Sequence, residues 1–197
     1  MTAFDEFIGL RPQGGFKAIL ADPPWRFALR SEKGEEKSPQ AHYGCVDWET
    51  LAMLPVSALA APHCLLFMWA TFPMLREALA VMDGWGFRYV TGGAWHKKTV
   101  HGKTAFGTGY VLRSASEPFL IGALGQPAIH SRSERNLIEA LAREHSRKPD
   151  EQYGLMERLA GEGARIELFA RQRMPGWQAW GNEVGKFDIE ATATEEA

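Results

Sequence analysis

The stretch Phe16-Lys17-Ala18-Ile19-Leu20-Ala21-Asp22-Pro23-Pro24-Trp25 decides how the rest of the chain is read. A short apolar run closed by a carboxylate and two prolines fits a buried strand that stops at Asp22, because Pro23 and Pro24 have no N–H to continue a sheet ladder. Further strand-like runs follow at Cys64 to Trp69, Phe87 to Thr91, Glu117 to Gly122 and Arg165 to Ala170. Helical signals lie between them. One starts at the acidic Asp47 and is halted by Pro55. A second opens at Thr71 with Pro73 in its first turn and carries Leu75, Leu79 and Met82 at helical spacing as far as Gly84. A third, from Asp150 to Leu159, puts Tyr153, Met156 and Leu159 on one face between Pro149 and Gly161. The alternation predicts an α/β fold with a mostly parallel central sheet and helices on both faces. The chain after Gly125 reads as a polar linker, and Arg132 to Arg147 as either a solvated helix face or a nucleic-acid contact.

With 197 residues, 45% of them hydrophobic, the chain can bury one sizeable core, so a single domain is expected over 1–187. The acidic, Ala- and Thr-rich stretch 188–197 is expected to be a disordered tail. The apolar run Cys64 to Ala70 is too short to span a bilayer and the first thirty residues carry no signal-like core, which predicts a cytoplasmic protein with no membrane partner. Cys45 and Cys64 are far apart, and His42, His63 and His145 show no paired ligand spacing, so ordinary thiols and no metal are expected. The formal charge of -2 hides an asymmetry. Between Arg88 and Lys148 ten Lys or Arg face four Glu, a local balance of +6, leaving 12 basic and 20 acidic residues elsewhere. A basic middle can lie along a phosphate backbone even where the whole protein is acidic, although a solvated charged surface has the same composition.

In doubly wound sheets ligands bind beyond the carboxyl ends of strands, the position that Asp22-Pro-Pro-Trp25 occupies. An exocyclic amino group offers two N–H donors, and the Asp22 carboxylate and the Pro23 carbonyl are acceptors suited to it. Trp25 can stack on a base held out of its helix, as base-modifying enzymes require. The bland alternative is a strand-ending turn with Trp25 in the core. Arg30 to Gln40 and the glycine-rich Gly102 to Tyr110 are candidate loops for gripping a target strand.

Asp22-Pro-Pro-Trp25 after an apolar strand resembles the signature of the MT-A70-like adenine methyltransferases. Further matches occur in order: Tyr43-Gly44, Trp95-His-Lys97, Phe106-Gly-Thr-Gly-Tyr110, Arg113, Glu117, His145 to Tyr153 with Glu157-Arg158, Glu167-Leu-Phe-Ala-Arg171 and Trp180-Gly-Asn-Glu183. The resemblance covers roughly residues 16 to 184. It implies a Rossmann-like methyltransferase fold with permuted motif order, the catalytic strand first and much of the cofactor site last, which accounts for the missing Gly-x-Gly fingerprint. It further implies S-adenosylmethionine as cofactor, transfer to adenine N6 in a nucleic acid, and Asp22, Pro23, Pro24 and Trp25 as the catalytic motif. By the same resemblance Asp22, Lys148, Phe169, Arg171, Asn182 and Glu183 contact the cofactor, and Trp25, Tyr43 and Lys97 the substrate.

The compact chain suggests a bacterial or phage enzyme, for which DNA is favoured over RNA by analogy alone. A homodimer or a partner subunit is compatible with the sequence. The competing reading is a catalytically silent nucleic-acid-binding or scaffold subunit, although such relatives tend to lose the signature that this chain keeps.

Overall fold

In the computed structural model, which describes residues 3–25, 47–109, 111–143 and 147–188, the opening apolar run forms strand β1 (Phe16–Ala21). After the exposed Lys17 it is apolar because both its faces are covered: Ile19 and Ala21 pack into one core, Ala18 and Leu20 into another on the opposite side. Strand β2 (Ala60–Trp69) repeats the arrangement, with Cys64, Leu66 and Met68 on the first face and Leu65, Phe67 and Trp69 on the second. The first core is closed by helices α1 (Ala3–Ile8), α2 (Trp48–Ala52) and α3 (Leu75–Gly84), which contribute Phe7, Leu51, Ala78, Val81 and Met82. The second is closed by α4 (Glu151–Ala160) through Tyr153, Leu155, Met156 and Ala160. Helices therefore cover both faces of one sheet.

The helix boundaries follow the local chemistry. Asp47 caps α2 by accepting the Thr50 N–H at 2.8 Å, as its acidic start predicts. Thr71-Phe72-Pro73 leads into a 3₁₀ turn (Phe72–Met74) that runs on into α3. Gly161, with φ 67°, ends α4 in a conformation that L side chains rarely adopt.

Seven strands lie in the order β5-β3-β4-β2-β1-β6-β7, where β3 is Arg88–Lys98, β4 Ser116–Leu124, β5 Leu137–Leu141, β6 Arg165–Leu168 and β7 Gln178–Trp180. Six run the same way; β4 alone opposes its neighbours β2 and β3. The reversal follows from the connection, since β3 returns directly into β4 through a hairpin arm with no crossover helix.

Two expectations need correction. Strand β3 does not end at Thr91 but continues to Lys98, and glycine at position 93 is what lets the ladder continue: a Cβ on Gly93 would collide with the Asn136 carbonyl and the Phe119 ring. The described part of the stretch from Arg132 to Arg147, residues 132–143 and 147, is not a helix face. Leu137–Leu141 is an edge strand that buries Ile138 and Ala140 and exposes the residues between, a period of two that parallel pairing with β3 imposes on helix-favouring residues.

The described chain also reaches Asp188, placed by sequence in the tail, whose carboxylate accepts the Arg173 backbone N–H at 2.6 Å and pairs with its guanidinium. No helix among the described residues is long and apolar enough to cross a membrane. Burial pushes the Cys64 thiol up to about 12, so it is inert at neutral pH; Cys45 lies outside the described residues.

Candidate active site

From β1 the chain steps to β2 on one side, while β6 lies on the other and hands on to β7, so the gap beyond the carboxyl ends of β1 and β6 is the topological switch point of the sheet. Asp22 follows β1 directly, with its N–H 3.4 Å from the Leu168 carbonyl, and Phe169 follows β6. Phe169 is the only non-glycine residue with positive φ (61°) among the described residues, a conformation that costs about 1–3 kcal/mol and concentrates at functional sites. Its ring is held between Trp85, stacked at 6.5 Å, and Trp180, edge-on at 5.6 Å. Asp22, Arg147, Lys148, Glu167, Phe169 and Arg171 line one cleft at this point.

Asp22 is only 8% exposed and is neutralised by cations from distant parts of the chain. Lys148 Nζ lies 3.0 and 3.1 Å from its two oxygens, and Arg171 Nη2 lies 3.8 Å from Oδ2. The same ammonium bonds Glu117 at 3.0 Å, and the other Glu117 oxygen accepts from Lys97 at 2.8 Å. A chain of alternating charge thus runs Asp22, Lys148, Glu117, Lys97. Burial alone would push the Lys148 ammonium down, but the two carboxylates outweigh it and hold its pKa above the ordinary value. Burial likewise favours neutral Glu117, yet Lys148 and Lys97 prevail and keep it ionised. Arg171 reaches outward to Glu183 at 3.3 Å, and Glu183 also pairs with Lys186.

Trp25 is 5% exposed and packs into the first core, its indole N–H donating to the Trp69 carbonyl at 3.0 Å. The stacking face expected of it is therefore covered, and the residue fixes the turn that follows Asp22. Trp69 in turn donates to Gln152 at 2.6 Å and lies beneath the Lys148 ammonium, 5.6 Å from the ring centre, so the motif is tied to α4. The Pro23 carbonyl accepts the Trp25 N–H at 2.8 Å, leaving one lone pair for another donor.

Of the residues singled out in sequence, Asp22, Lys148, Phe169, Arg171 and Glu183 come together here, and Lys97 joins through Glu117. Asn182 is exposed in the turns after β7, and Tyr43 and the Arg30 to Gln40 loop lie outside the described residues. No group of three or more His, Cys, Asp or Glu that could hold a metal occurs among the described residues.

Glu167 was not among the candidate side chains. It is a buried carboxyl on β6 that accepts the Tyr153 hydroxyl at 2.7 Å, and Gln172 bridges Tyr153 to Asp150 at 3.2 and 2.9 Å. Its signal was legible: an acid between Ile166 and Leu168 in a strand covered on both faces needs a reason to be there. Burial pushes its carboxyl up to about 7, the charge of Asp22 adds to this, and the Tyr153 bond and the cations of Arg171 and Lys148 oppose it.

A carboxyl whose folded pKa is raised holds its proton more tightly when folded. The stability it contributes is therefore present below the ordinary value of 4.5 and lost as pH rises through about 7. Glu167→Gln keeps an acceptor for Tyr153 and removes the titration. Its melting temperature is expected to match wild type near pH 5 and to exceed it at pH 8, by the equivalent of about 1–3 kcal/mol. Parallel melting curves for the two proteins across that range would exclude this role.

Comparison with known proteins matches the MT-A70 family model to residues 16–183. The chain is 31% identical over 175 residues to a putative N(6)-adenosine-methyltransferase MT-A70-like protein of Medicago truncatula, covering 87% of this chain but 27% of that protein. It spans only 23% of the corresponding protein from Oryza sativa subsp. japonica, about a quarter of the length of such plant relatives. It is 29% identical to the type II methyltransferase M.MunI of Mycoplasma sp over 208 residues, covering 96% of this chain and 87% of that one. It is also 31% identical to the N6-methyladenosine RNA methyltransferase MTA1 of Cryphonectria parasitica, of whose length it covers 52%. With the motif order, the switch-point cleft and a family match over most of its length in agreement, the chain belongs to the MT-A70 family of N6-adenine and N6-adenosine methyltransferases.

Proposed function

We propose that this protein transfers the methyl group of S-adenosylmethionine to the N6 amine of adenine in a nucleic acid, DNA in preference to RNA. The observation that carries the reading is the Asp22 carboxylate at the switch point, in a cleft that brings two cations and a left-handed aromatic residue around it. The donor set suits the cofactor. Arg171, with the Lys148 charge beside it, is matched to its carboxylate, Asp22 to its cationic amine and sulfonium, and Glu183 with Asn182 to ribose hydroxyls. When bound, S-adenosylmethionine supplies an electrophilic methyl on sulfonium.

The residues of the chain do the positioning. Lys148 uses one lone pair on each Asp22 oxygen, so the carboxylate keeps acceptor capacity facing the cleft. Together with the remaining lone pair of the Pro23 carbonyl it can grip both N–H bonds of an exocyclic amine and aim the nitrogen lone pair at the methyl carbon. Asp22 need not take the proton at the outset, because the amine becomes acidic only as nitrogen turns cationic in the transition state. The buried Trp25 and its bond to Trp69 keep this turn from drifting.

Near full-length similarity to a type II methyltransferase, against half-length similarity to the relative named for RNA, favours DNA. The test is mass spectrometry of nucleosides after incubation with S-adenosylmethionine and single- or double-stranded DNA or RNA of varied sequence. N6-methyldeoxyadenosine is the expected product. Methylation of RNA alone would overturn the polymer, and a methylated cytosine would overturn the base. Absence of any product, with a melting temperature unmoved by S-adenosylhomocysteine, would favour a silent scaffold.

A further inference from the structure

Between β3 and β4 the chain leaves the sheet as an arm whose described residues, 99–109 and 111–115, carry exposed apolar groups and no Asp or Glu. The arm is built: Thr99 N–H donates to the Lys103 carbonyl at 2.7 Å, Ala105 to Lys97 at 2.8 Å, Gly107 to Ser114 at 2.7 Å, and Ser114 to Thr108 at 3.2 Å. Lys98 and Thr104 form a β-bridge, and the Thr104 hydroxyl meets His96 Nε2 at 2.9 Å. On this frame Phe106 stands 77% exposed, and Val111 and Leu112, farther along the arm, 83% and 82%. The Arg113 guanidinium lies 5.1 Å from the Phe106 ring centre and is steadied by a bond to the Gly109 carbonyl at 3.4 Å. The arm's root is Lys97, joined to Asp22 through Glu117 and Lys148.

We infer that this arm is a stacking platform for the target strand, with Phe106 and Arg113 taking a base next to the methylated one and Lys103 and Arg113 drawing in its phosphates. The inference rests on the methyltransferase reading and deepens it. An exposed aromatic ring paired with arginine, on an arm that has no carboxylate of its own and whose nearest exposed acid, Glu139, is paired with Lys98 and His96, is the combination that grips nucleotides in a sequence-tolerant way. The other occupant such apolar residues would suit is a second copy of the chain. A two-fold contact through this arm would bring Lys103 and Arg113 toward their own counterparts with no acidic residue on the arm to balance them, so a polyanion fits better. The arm's bonds exist before any ligand arrives, so little ordering entropy is lost on binding.

The test compares wild type with Phe106→Ala and with the double variant Lys103→Glu/Arg113→Glu, using a fluorescein-labelled, adenine-containing oligodeoxynucleotide, single-stranded and duplex, at two salt concentrations. Phe106→Ala is expected to weaken binding about tenfold with an unchanged salt slope. The charge reversal is expected to weaken it further and flatten that slope. The thermal shift given by S-adenosylhomocysteine should stay at the wild-type value in both, which shows an intact fold and cofactor site. Oligonucleotide affinity within about twofold of wild type in both variants would overturn the inference. So would light scattering in which Phe106→Ala splits a wild-type dimer while oligonucleotide affinity holds, since the arm would then be a protein interface. If wild type methylates its substrate and the variants bind as tightly as it does, the arm assignment alone fails. If wild type methylates nothing, the functional reading falls first and the arm inference with it.

Discussion

Asp22→Asn should lower methyl transfer by about a thousandfold or more while the protein still folds and still responds to S-adenosylhomocysteine in a thermal melt. The change keeps the shape of the side chain and one acceptor oxygen, so the core beneath the motif is undisturbed. It removes the negative charge that the proposed mechanism sets against the amine as that nitrogen becomes cationic. Asp22→Ala should lose at least as much activity; both variants should also lose about 1–3 kcal/mol of stability, because in each of them Lys148 and Arg171 face a buried site with one carboxylate fewer. Initial rates with labelled S-adenosylmethionine, read beside melting temperatures, separate the two effects. Turnover at the wild-type rate in Asp22→Asn would remove Asp22 from the chemistry.

Lys148→Met should be the most destabilising single change in the site. The ammonium is nearly enclosed, with a side chain 9% exposed, and is shared between Asp22 and Glu117, so its loss leaves one buried carboxylate with only the longer Arg171 contact and the other with Lys97 alone. Breaking a buried pair from one side costs about 3–5 kcal/mol. The loss should be greatest at pH 8 and shrink toward pH 4, where the stranded carboxyls can take up protons and need no cation. Adding Glu117→Gln to Lys148→Met should recover part of the loss, since the second carboxylate is then neutral at every pH. Denaturant titrations of the two single variants and the double variant at both pH values measure this. A Lys148→Met loss of the same size at pH 4 and pH 8 would show that the four-group charge chain contributes no net stability.

Most of the fold was legible because its central strands are covered on both sides. Ala18 to Ala21 and Cys64 to Trp69 read as continuous apolar runs, and the helices were marked by Asp47, Pro73, Gly84 and Gly161 at their ends. The edges of the sheet were not legible. Leu137–Leu141 has the residues of a helix, and Gln178–Trp180 is three residues long; each is a strand only because β3 or β6 offers it an open ladder. Which of the two readings of Trp25 holds was not legible for a related reason. A tryptophan beside a candidate site looks the same in sequence whether its ring faces a ligand or its N–H reaches the Trp69 carbonyl, 44 positions away.

What the sequence determined by itself is local and chemical: a strand that must stop at a carboxylate and two prolines, the α/β alternation, and the ordered motifs by which the family can be recognised. What only the tertiary structure decided is which distant charges meet. Asp22 and Lys148 are separated by 126 positions yet share a buried ion pair, and Glu167 acquires its unusual proton affinity from that same enclosure. Periodicity carries no record of such partners, because the free energy of a charge in the interior depends on what surrounds it in space and not on its neighbours along the chain.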